Sequence, residues 1–208
     1  VIQAKNLCFC YGNNANSPVL TGVNLSIERG RITALLGESG AGKSTLIGLL
    51  VGLMQPSSGS VAKPNQLAMG VALQPAGFWW HLSVARHLKL VLAGRGLGQK
   101  MIHQRIDEIL DRFDLLAYAK KRPAKLSSGQ RQRLALARAM VHQPDWLFLD
   151  EPLAHLDPQA REVVLAELRK EVDARNTGVF VVTHHTQGVD DWADEICHLA
   201  DGQMAPNA

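Results

Sequence analysis

The sequence predicts an α/β fold built on a mainly parallel sheet, and three observations predict it. Short, largely apolar runs recur at Ile32-Thr33-Ala34-Leu35-Leu36, Trp146-Leu147-Phe148-Leu149 and Gly178-Val179-Phe180-Val181-Val182. Runs of this kind belong to strands covered on both faces. Helical spacing separates them, as in Leu46, Leu49, Leu50 and Leu53 or in Val164, Leu165, Leu168 and Val172, and strand–helix alternation is what makes neighbouring strands parallel. Third, the glycine-rich stretch Gly37-Glu38-Ser39-Gly40-Ala41-Gly42-Lys43-Ser44-Thr45 lies directly between the first run and the first helix.

Taken in order, Val1 to Phe9 reads as a strand, followed by turn chemistry at Tyr11-Gly12-Asn13-Asn14 and a loop closed by Pro18. Val23, Leu25 and Ile27 alternate with Asn24 and Ser26, the pattern of a half-buried strand, and Gly30 turns the chain into the next one. Two strands joined ahead of any helix predict an N-terminal antiparallel sheet beside the glycine-rich loop. Gln55-Pro56-Ser57-Ser58-Gly59 breaks the chain, and short segments follow around Val61 and from Leu67 to Leu73, ending at Gln74-Pro75. From about Leu82 to Val141 the pattern is mostly helical, with Ile102, Ile106, Ile109, Leu110 and Phe113 on one apolar face and Leu134, Ala137, Met140 and Val141 on another. This block looks inserted between two parts of the sheet. Asp157-Pro158 then caps a helix with proline at its first position, and Gly178 to Val182 is expected to be the last buried strand. No internal repeat or low-complexity segment is visible.

At 208 residues the chain is expected to form one domain over 1–208, with a core from about 1–74 and 142–208 and a helical part from about 75–141. Its 46% hydrophobic and 20% charged residues are those of an ordinary soluble globular protein. The longest apolar candidate, Leu46 to Met54, is far short of the ~20 residues that a membrane span needs. No signal peptide opens the chain, and Val1 in place of methionine implies a processed or trimmed form. A net charge of +3 is too mild to mark a nucleic-acid partner, and Lys120-Lys121-Arg122 with Lys125 reads as a solvated face. The three cysteines, Cys8, Cys10 and Cys197, lack paired C-x-x-C spacing, so they are read as small packed side chains in a reducing compartment.

The glycine-rich stretch fits G-x-x-x-x-G-K-[ST], and its place between strand and helix separates it from a chance Gly-rich turn with a surface lysine. Glycines let the backbone curl so that several N–H groups converge on an anion, and the following helix adds its positive end. Lys43 would carry a point charge to the β- and γ-phosphates and Ser44 would hold Mg²⁺. Asp150-Glu151 ends an apolar strand, where a carboxylate faces the ligand crevice of a parallel sheet. Asp150 would complete the Mg²⁺ shell, and Glu151 would orient or deprotonate the attacking water. Leu126-Ser127-Ser128-Gly129-Gln130 leads into a helix starting near Arg131; it is either a plain N-cap or a second phosphate-binding helix end.

With these motifs in hand, the chain resembles, over essentially its whole length, the nucleotide-binding subunits of ATP-binding-cassette (ABC) transporters. The family's L-S-G-G-Q signature is matched by Leu126-Ser127-Ser128-Gly129-Gln130, its adenine-stacking aromatic by Tyr11, its Q-loop by Gln74 and its Walker B segment by Leu147-Phe148-Leu149-Asp150-Glu151-Pro152. Its D-loop is matched by Ala154-His155-Leu156-Asp157 and its switch histidine by His184, with His185 the alternative one position on. The resemblance implies a P-loop NTPase core with a mainly parallel sheet, an N-terminal antiparallel β subdomain and an inserted helical subdomain.

It further implies ATP and Mg²⁺ as cofactors, held by Tyr11 and by Gly37, Glu38, Ser39, Gly40, Ala41, Gly42, Lys43, Ser44 and Thr45, with Ser44, Gln74 and Asp150 around the metal. Two such domains, identical or not, would face each other head to tail, and Ser127, Gly129 and Gln130 of one would close on the γ-phosphate held by the other. Glu151, His184, Gln74 and Lys43 would carry hydrolysis, and Asp157 would link the two sites. The implied partner is a separate transmembrane permease, with the chain peripheral on the cytoplasmic membrane face; the alternative is a non-transporter ABC ATPase of the iron–sulfur assembly type. Leu82-Ser83-Val84 and His87 to Leu97 resemble exporter subunits, although importers share much of this. Phe78-Trp79-Trp80 reads either as buried packing or as the lining of a groove for a partner helix. The departures from the pattern are Ser128 for the first signature glycine, His155 where a small residue is usual, and His185 where many relatives carry aspartate.

Overall fold

In the computed structural model, residues 1–12, 17–62 and 68–205 are described. The expected Asn13-Asn14 turn and the start of the segment at Leu67 lie outside them.

The N-terminal strands β1 (Ile2–Phe9) and β2 (Leu20–Ile27) pair antiparallel, and β4 (Ser58–Ala62) joins the other edge of β1, giving the order β2-β1-β4. The predicted antiparallel sheet is therefore present, with a third strand contributed from beyond the glycine-rich loop. The main sheet runs β5-β6-β7-β3-β8-β9. Its strands β3 (Ile32–Leu36), β5 (Met69–Ala72), β6 (Trp146–Asp150), β7 (Gly178–Thr183) and β8 (Glu195–Ala200) are mutually parallel, and the short β9 (Gln203–Met204) closes the edge antiparallel. The strand series thus extends past Val182. β8 escapes sequence reading because Glu195 and His198 interrupt its apolar pattern and only alternate residues are buried.

The apolar runs sit at the centre of this sheet because both of its faces are covered. On β6 and β7, Phe148, Phe180 and Val182 pack with α1 (Lys43–Val51) and the antiparallel sheet, whereas Leu147, Leu149, Val179 and Val181 pack against the inserted helices and α5 (Pro158–Arg175). Period-two alternation sends successive side chains into two different cores. Helix α1 lies between the two sheets and is apolar nearly all round, with every residue but Ser44 buried. It ends at Gly52, whose φ of 82° gives the left-handed C-cap. Leu53 consequently lies beyond the helix and is exposed, contrary to its helical spacing.

Between β5 and β6 the chain forms α2 (Val84–Leu92), α3 (Gln99–Arg112) and α4 (Ser128–Met140) with no strand among the described residues. The predicted α3 face of Ile102, Ile106, Ile109, Leu110 and Phe113 is buried and joins the same core as Leu147 and Val181. Arg112 at the end of α3 is clamped between Glu167 and Glu171 of α5, with its Nη2 2.7 Å from Glu171 Oε1. Burial pulls the guanidinium pKa down, yet the hydrogen bonds and charges of Glu171 and Glu167 outweigh it and hold the pKa above its ordinary value. Cys197 is the packed cysteine, while Cys8 and Cys10 are only half-buried. No described helix is long and apolar enough to cross a membrane.

Candidate active site

The parallel strands present their carboxyl ends along one edge, where open α/β sheets bind ligands. Leu36, the last residue of β3, is paired with Thr183 of β7, and Asp150, the last of β6, with Val182. Three loops therefore start side by side: the glycine-rich loop after β3, the Glu151 turn after β6 and the His184 segment after β7. They line a cleft of about 500 Å³ together with Tyr11, Gln74, Lys43, Ser44, Thr45, Asp150, Glu151 and His184.

The glycine-rich loop needs its glycines for specific reasons. A Cβ on Gly37 would lie 2.3 Å from the Leu199 carbonyl oxygen, and Gly42 combines a φ of 99° with a Leu20 methyl that would lie 2.8 Å from an added Cβ. Lys43 is nearly buried, and its Nζ donates to the carbonyls of Gly37 (2.7 Å) and Glu38 (2.8 Å), which ties the loop's entry to the first residue of α1. Ser39, Gly40, Gly42, Lys43, Ser44 and Thr45 face the cleft, while Gly37, Glu38 and Ala41 line a larger neighbouring groove bordered by β8 and the turn after it. Tyr11 stands exposed at the cleft edge, held by Phe9 edge-on at 4.9 Å and by a 3.0 Å hydrogen bond between its hydroxyl and that of Thr45.

Ser44 Oγ donates to Asp150 Oδ2 at 2.8 Å. Asp150 is 5% exposed, and burial pushes its carboxyl pKa up, with the Ser44 bond opposing and the Glu151 charge adding. A buried carboxylate beside a hydroxyl is a hard oxygen pair short of positive charge, which fits Mg²⁺. Gln74 lines the same cleft, and its Nε2 donates to Gln132 Oε1 at 2.8 Å, a bond that does not use its own Oε1. Gln132 is a residue that sequence reasoning missed. Buried on α4, it passes the connection on by donating from Nε2 to the carbonyls of Glu151 (3.0 Å) and Pro152 (3.1 Å). It bridges Gln74, the inserted helices and the turn after β6.

Glu151 sits at φ 50°, a conformation that costs a non-glycine residue about 1 kcal/mol. Both of its carboxylate oxygens are engaged. Thr183 Oγ1 donates to Oε2 at 2.9 Å, and Oε1 lies 2.8 Å from the His184 backbone nitrogen and 2.5 Å from His184 Nδ1. His185 instead has its backbone N–H on Thr183 Oγ1 at 3.1 Å. Of the two histidines, His184 is the one that lines the cleft.

The signature lies elsewhere. Ser127 caps α4 in a reciprocal box: its Oγ accepts from Gln130 N (3.1 Å) while its own N–H donates to Gln130 Oε1 (3.0 Å). The helix thus starts at Ser128, earlier than expected. None of Ser127, Gly129 and Gln130 lines the cleft. Gly129 instead abuts the loop after β6, where an added Cβ would be 3.1 Å from the His155 carbonyl oxygen. Beside Gln74, Phe78 packs inward under Arg138, whose guanidinium lies 5.2 Å from the ring centre, while Trp79 and Trp80 are 47% and 54% exposed. The three aromatics therefore divide, one into packing and two into a surface ledge. The basic residues Lys120, Lys121, Arg122 and Lys125 are solvent-exposed, as expected.

Comparison with known proteins places this geometry. The family model described as "ABC transporter" matches residues 20–154. The sulfate/thiosulfate import ATP-binding protein CysA of Synechococcus elongatus is 36% identical over 88% of the chain, and the spermidine/putrescine import ATP-binding protein PotA 1 of Pseudomonas aeruginosa is 35% identical over 93%. The chain spans 56% of each of these relatives. Among solved structures, a dimeric bacterial ABC transporter cassette superposes with a TM-score of 0.92 at 27% identity, covering 99% of this chain and 97% of that one. The same cassette bound to ADP and Pi, in a post-hydrolysis state, gives a TM-score of 0.90 at 26% identity, covering 99% and 97%. The loop of Gly37 to Thr45, the adjacent carboxylates at the end of β6 and the capped helix at Ser127 all lie within the matched residues, and the chain belongs to the ABC transporter family.

Proposed function

We propose that this chain is the ATP-hydrolysing part of an ABC importer. The observation that carries the reading is the convergence, at one sheet edge, of Lys43, the Ser44–Asp150 pair and the Glu151–Thr183–His184 cluster. Tyr11 stacks the adenine, and the loop from Gly37 to Thr45 cradles the phosphates with its N–H groups. Ser44, Asp150 and the Gln74 carbonyl would hold Mg²⁺, which would supply charge neutralisation to the phosphates. Lys43 adds a fixed positive charge in a nearly dry setting.

Glu151 is the base for the attacking water, and its hydrogen bonds define what must happen first. Both oxygens already accept, Oε2 from Thr183 and Oε1 from His184, so movement of the His184 ring off Oε1 frees that oxygen for a water proton. A γ-phosphate that draws His184 toward itself accomplishes this, which ties hydrolysis to closure of the site. Closure is completed by Ser127, Gly129 and Gln130 of a second ATPase domain. Gln130 takes part through the cap it builds, because its side chain already holds the Ser127 N–H. Residues 75–141 act as one unit in this closure, bridged to the catalytic turn by Gln132.

Import is favoured over export because the relatives named above are import subunits; the iron–sulfur assembly alternative draws nothing from them. Their cargoes differ, so no cargo is assigned. The chain attaches to the cytoplasmic side of a membrane by binding a permease, with Trp79 and Trp80 as contact residues. Phosphate release from Mg-ATP tests the reading. Glu151→Gln should abolish turnover and yield an ATP-dependent dimer in size-exclusion chromatography; a variant that still turns over, or stays monomeric with ATP, contradicts it. Trp79→Ala with Trp80→Ala should keep turnover and lose the permease on co-purification, and unchanged co-purification removes the ledge from the interface.

A further inference from the structure

Glu151, His184 and His185 place one carboxylate oxygen and two imidazole nitrogens within 4.8 Å of one another. This set differs in kind from the oxygen-only group around Ser44 and Asp150. Mg²⁺ takes oxygen ligands, whereas imidazole nitrogens select zinc, copper, nickel and cobalt. Two histidines and one carboxylate, with a position left for water, is a common zinc ligand set.

The three side chains are also held together. The Thr183 hydroxyl donates to Glu151 Oε2 and accepts the backbone N–H of His185, so one group orients the carboxylate and fixes the backbone beside it. The two imidazole rings lie with centres 4.0 Å apart. Both histidines are exposed, so an ion reaches them from solvent without opening the fold.

We propose that Glu151, His184 and His185 bind a zinc-class transition-metal ion that shuts off turnover. The required movement is small. Metal–nitrogen and metal–oxygen bonds of roughly 2.0–2.2 Å separate two ligand atoms by roughly 3.3 Å across a tetrahedral ion. His184 Nδ1 and Glu151 Oε1, now 2.5 Å apart, need only part by a rotation of an exposed ring. Each imidazole binds in its neutral form through one nitrogen and keeps its proton on the other. The bound ion neutralises the carboxylate proposed as the base for the water proton and pins the histidine beside it. This inhibition rests on the roles proposed above for Glu151 and His184; the binding itself does not.

Zinc titration of the full, tag-free and nucleotide-free chain, read by competition with a chromogenic chelator in excess Mg²⁺, tests the site without ATP as a competing ligand. One equivalent should bind, and His185→Ala and Glu151→Gln should each weaken binding about tenfold or more. Unchanged affinity in His185→Ala overturns the proposal, as does loss of binding in Cys8→Ser with Cys10→Ser. In the second arm, rising zinc at fixed Mg-ATP should suppress phosphate release reversibly by chelator. His185→Ala, compared with its own zinc-free rate, should need about tenfold more zinc for half-inhibition; equal sensitivity refutes the inhibitory role. Zinc binding in a chain that never releases phosphate would sink the proposed function and keep the site. Turnover with no zinc binding would do the reverse.

Discussion

The phosphate end of the cleft and the capped start of α4 are built in opposite ways. At the phosphate end, polar groups find partners far away in sequence: Ser44 reaches the buried Asp150, and Glu151 reaches the buried Thr183 as well as the exposed His184. At the start of α4, the partners are three residues apart, and Ser127 with Gln130 satisfies its own helix end while staying near the surface. The first arrangement is complete and carries an electrostatic cost at Asp150. The second is locally content and presents a helix terminus with no acidic residue in its first turn. Such an end retains its positive partial charge. On the proposed reading, one region takes a cation and an anion and the other an anion alone, which is how two halves of a shared site would divide the work.

Asp150→Asn gives the largest expected effect. Losing the proposed Mg²⁺ ligand should lower turnover about a hundredfold or more, the scale of several kcal/mol of charge stabilisation at a metal-assisted centre. Stability should move the other way. The folded-state pKa of Asp150 is raised by burial, so its favourable contribution is present below the unfolded pKa and lost as pH rises through the folded one. At neutral pH the buried carboxylate therefore weighs against the nucleotide-free fold. Asp150→Asn should melt at the same temperature or higher at pH 7, with the gap to the parent chain closing on acidification. A clear drop in melting temperature at pH 7 would mean that the phosphate end is held together by this charge rather than burdened by it.

Ser127 tests the other side of the comparison, with a smaller effect on the fold. Ser127→Ala removes the cap and should cost about 1 kcal/mol, seen in urea unfolding, together with most of the turnover. Ser127→Asp restores a capping oxygen and should recover the stability, but its negative charge opposes a phosphate and should leave turnover low. Recovery of both together would reduce Ser127 to a plain cap and remove the second half-site.

These two regions were also unequally legible in the sequence. The loop from Gly37 to Thr45, the Asp150-Glu151 strand end and the signature are contiguous, and their chemistry is written in residue order. The buried strands announce themselves because both faces of the sheet are covered. What stayed hidden depends on pairings between distant residues. Gln132 looks like any polar residue of a helix, and only the fold brings it between Gln74 and the Glu151 carbonyl. The clamp of Arg112 between Glu167 and Glu171 has no local signature either. β4 was legible as a short segment, but its place beside β1 was not, since register across that distance is set by the whole N-terminal sheet. The left-handed Gly52 overrode the helical spacing of Leu53, a case of one backbone conformation outweighing periodicity.

The smallest effect concerns the far end of α4, where His142 fastens the helix to the sheet. Its ring Nε2 lies 3.0 Å from the Met69 carbonyl oxygen on β5 and donates to it, while its buried Nδ1 has no partner among the described residues. Burial pushes the imidazole pKa down to about 4, and the charges of Arg95 and Arg105 add to the shift. Protonating Nδ1 would place a cation in this dry, already positive setting. The sign follows: the unfolded chain binds the proton first, so stability is full above pH about 6.5 and declines as pH falls toward about 4. His142→Gln keeps a donor for Met69 and cannot titrate in this range. Urea midpoints measured at pH 7.5 and pH 5 should fall less for this variant than for the parent chain. Equal declines would place the acid sensitivity in other groups and leave the attachment of α4 to β5 indifferent to pH.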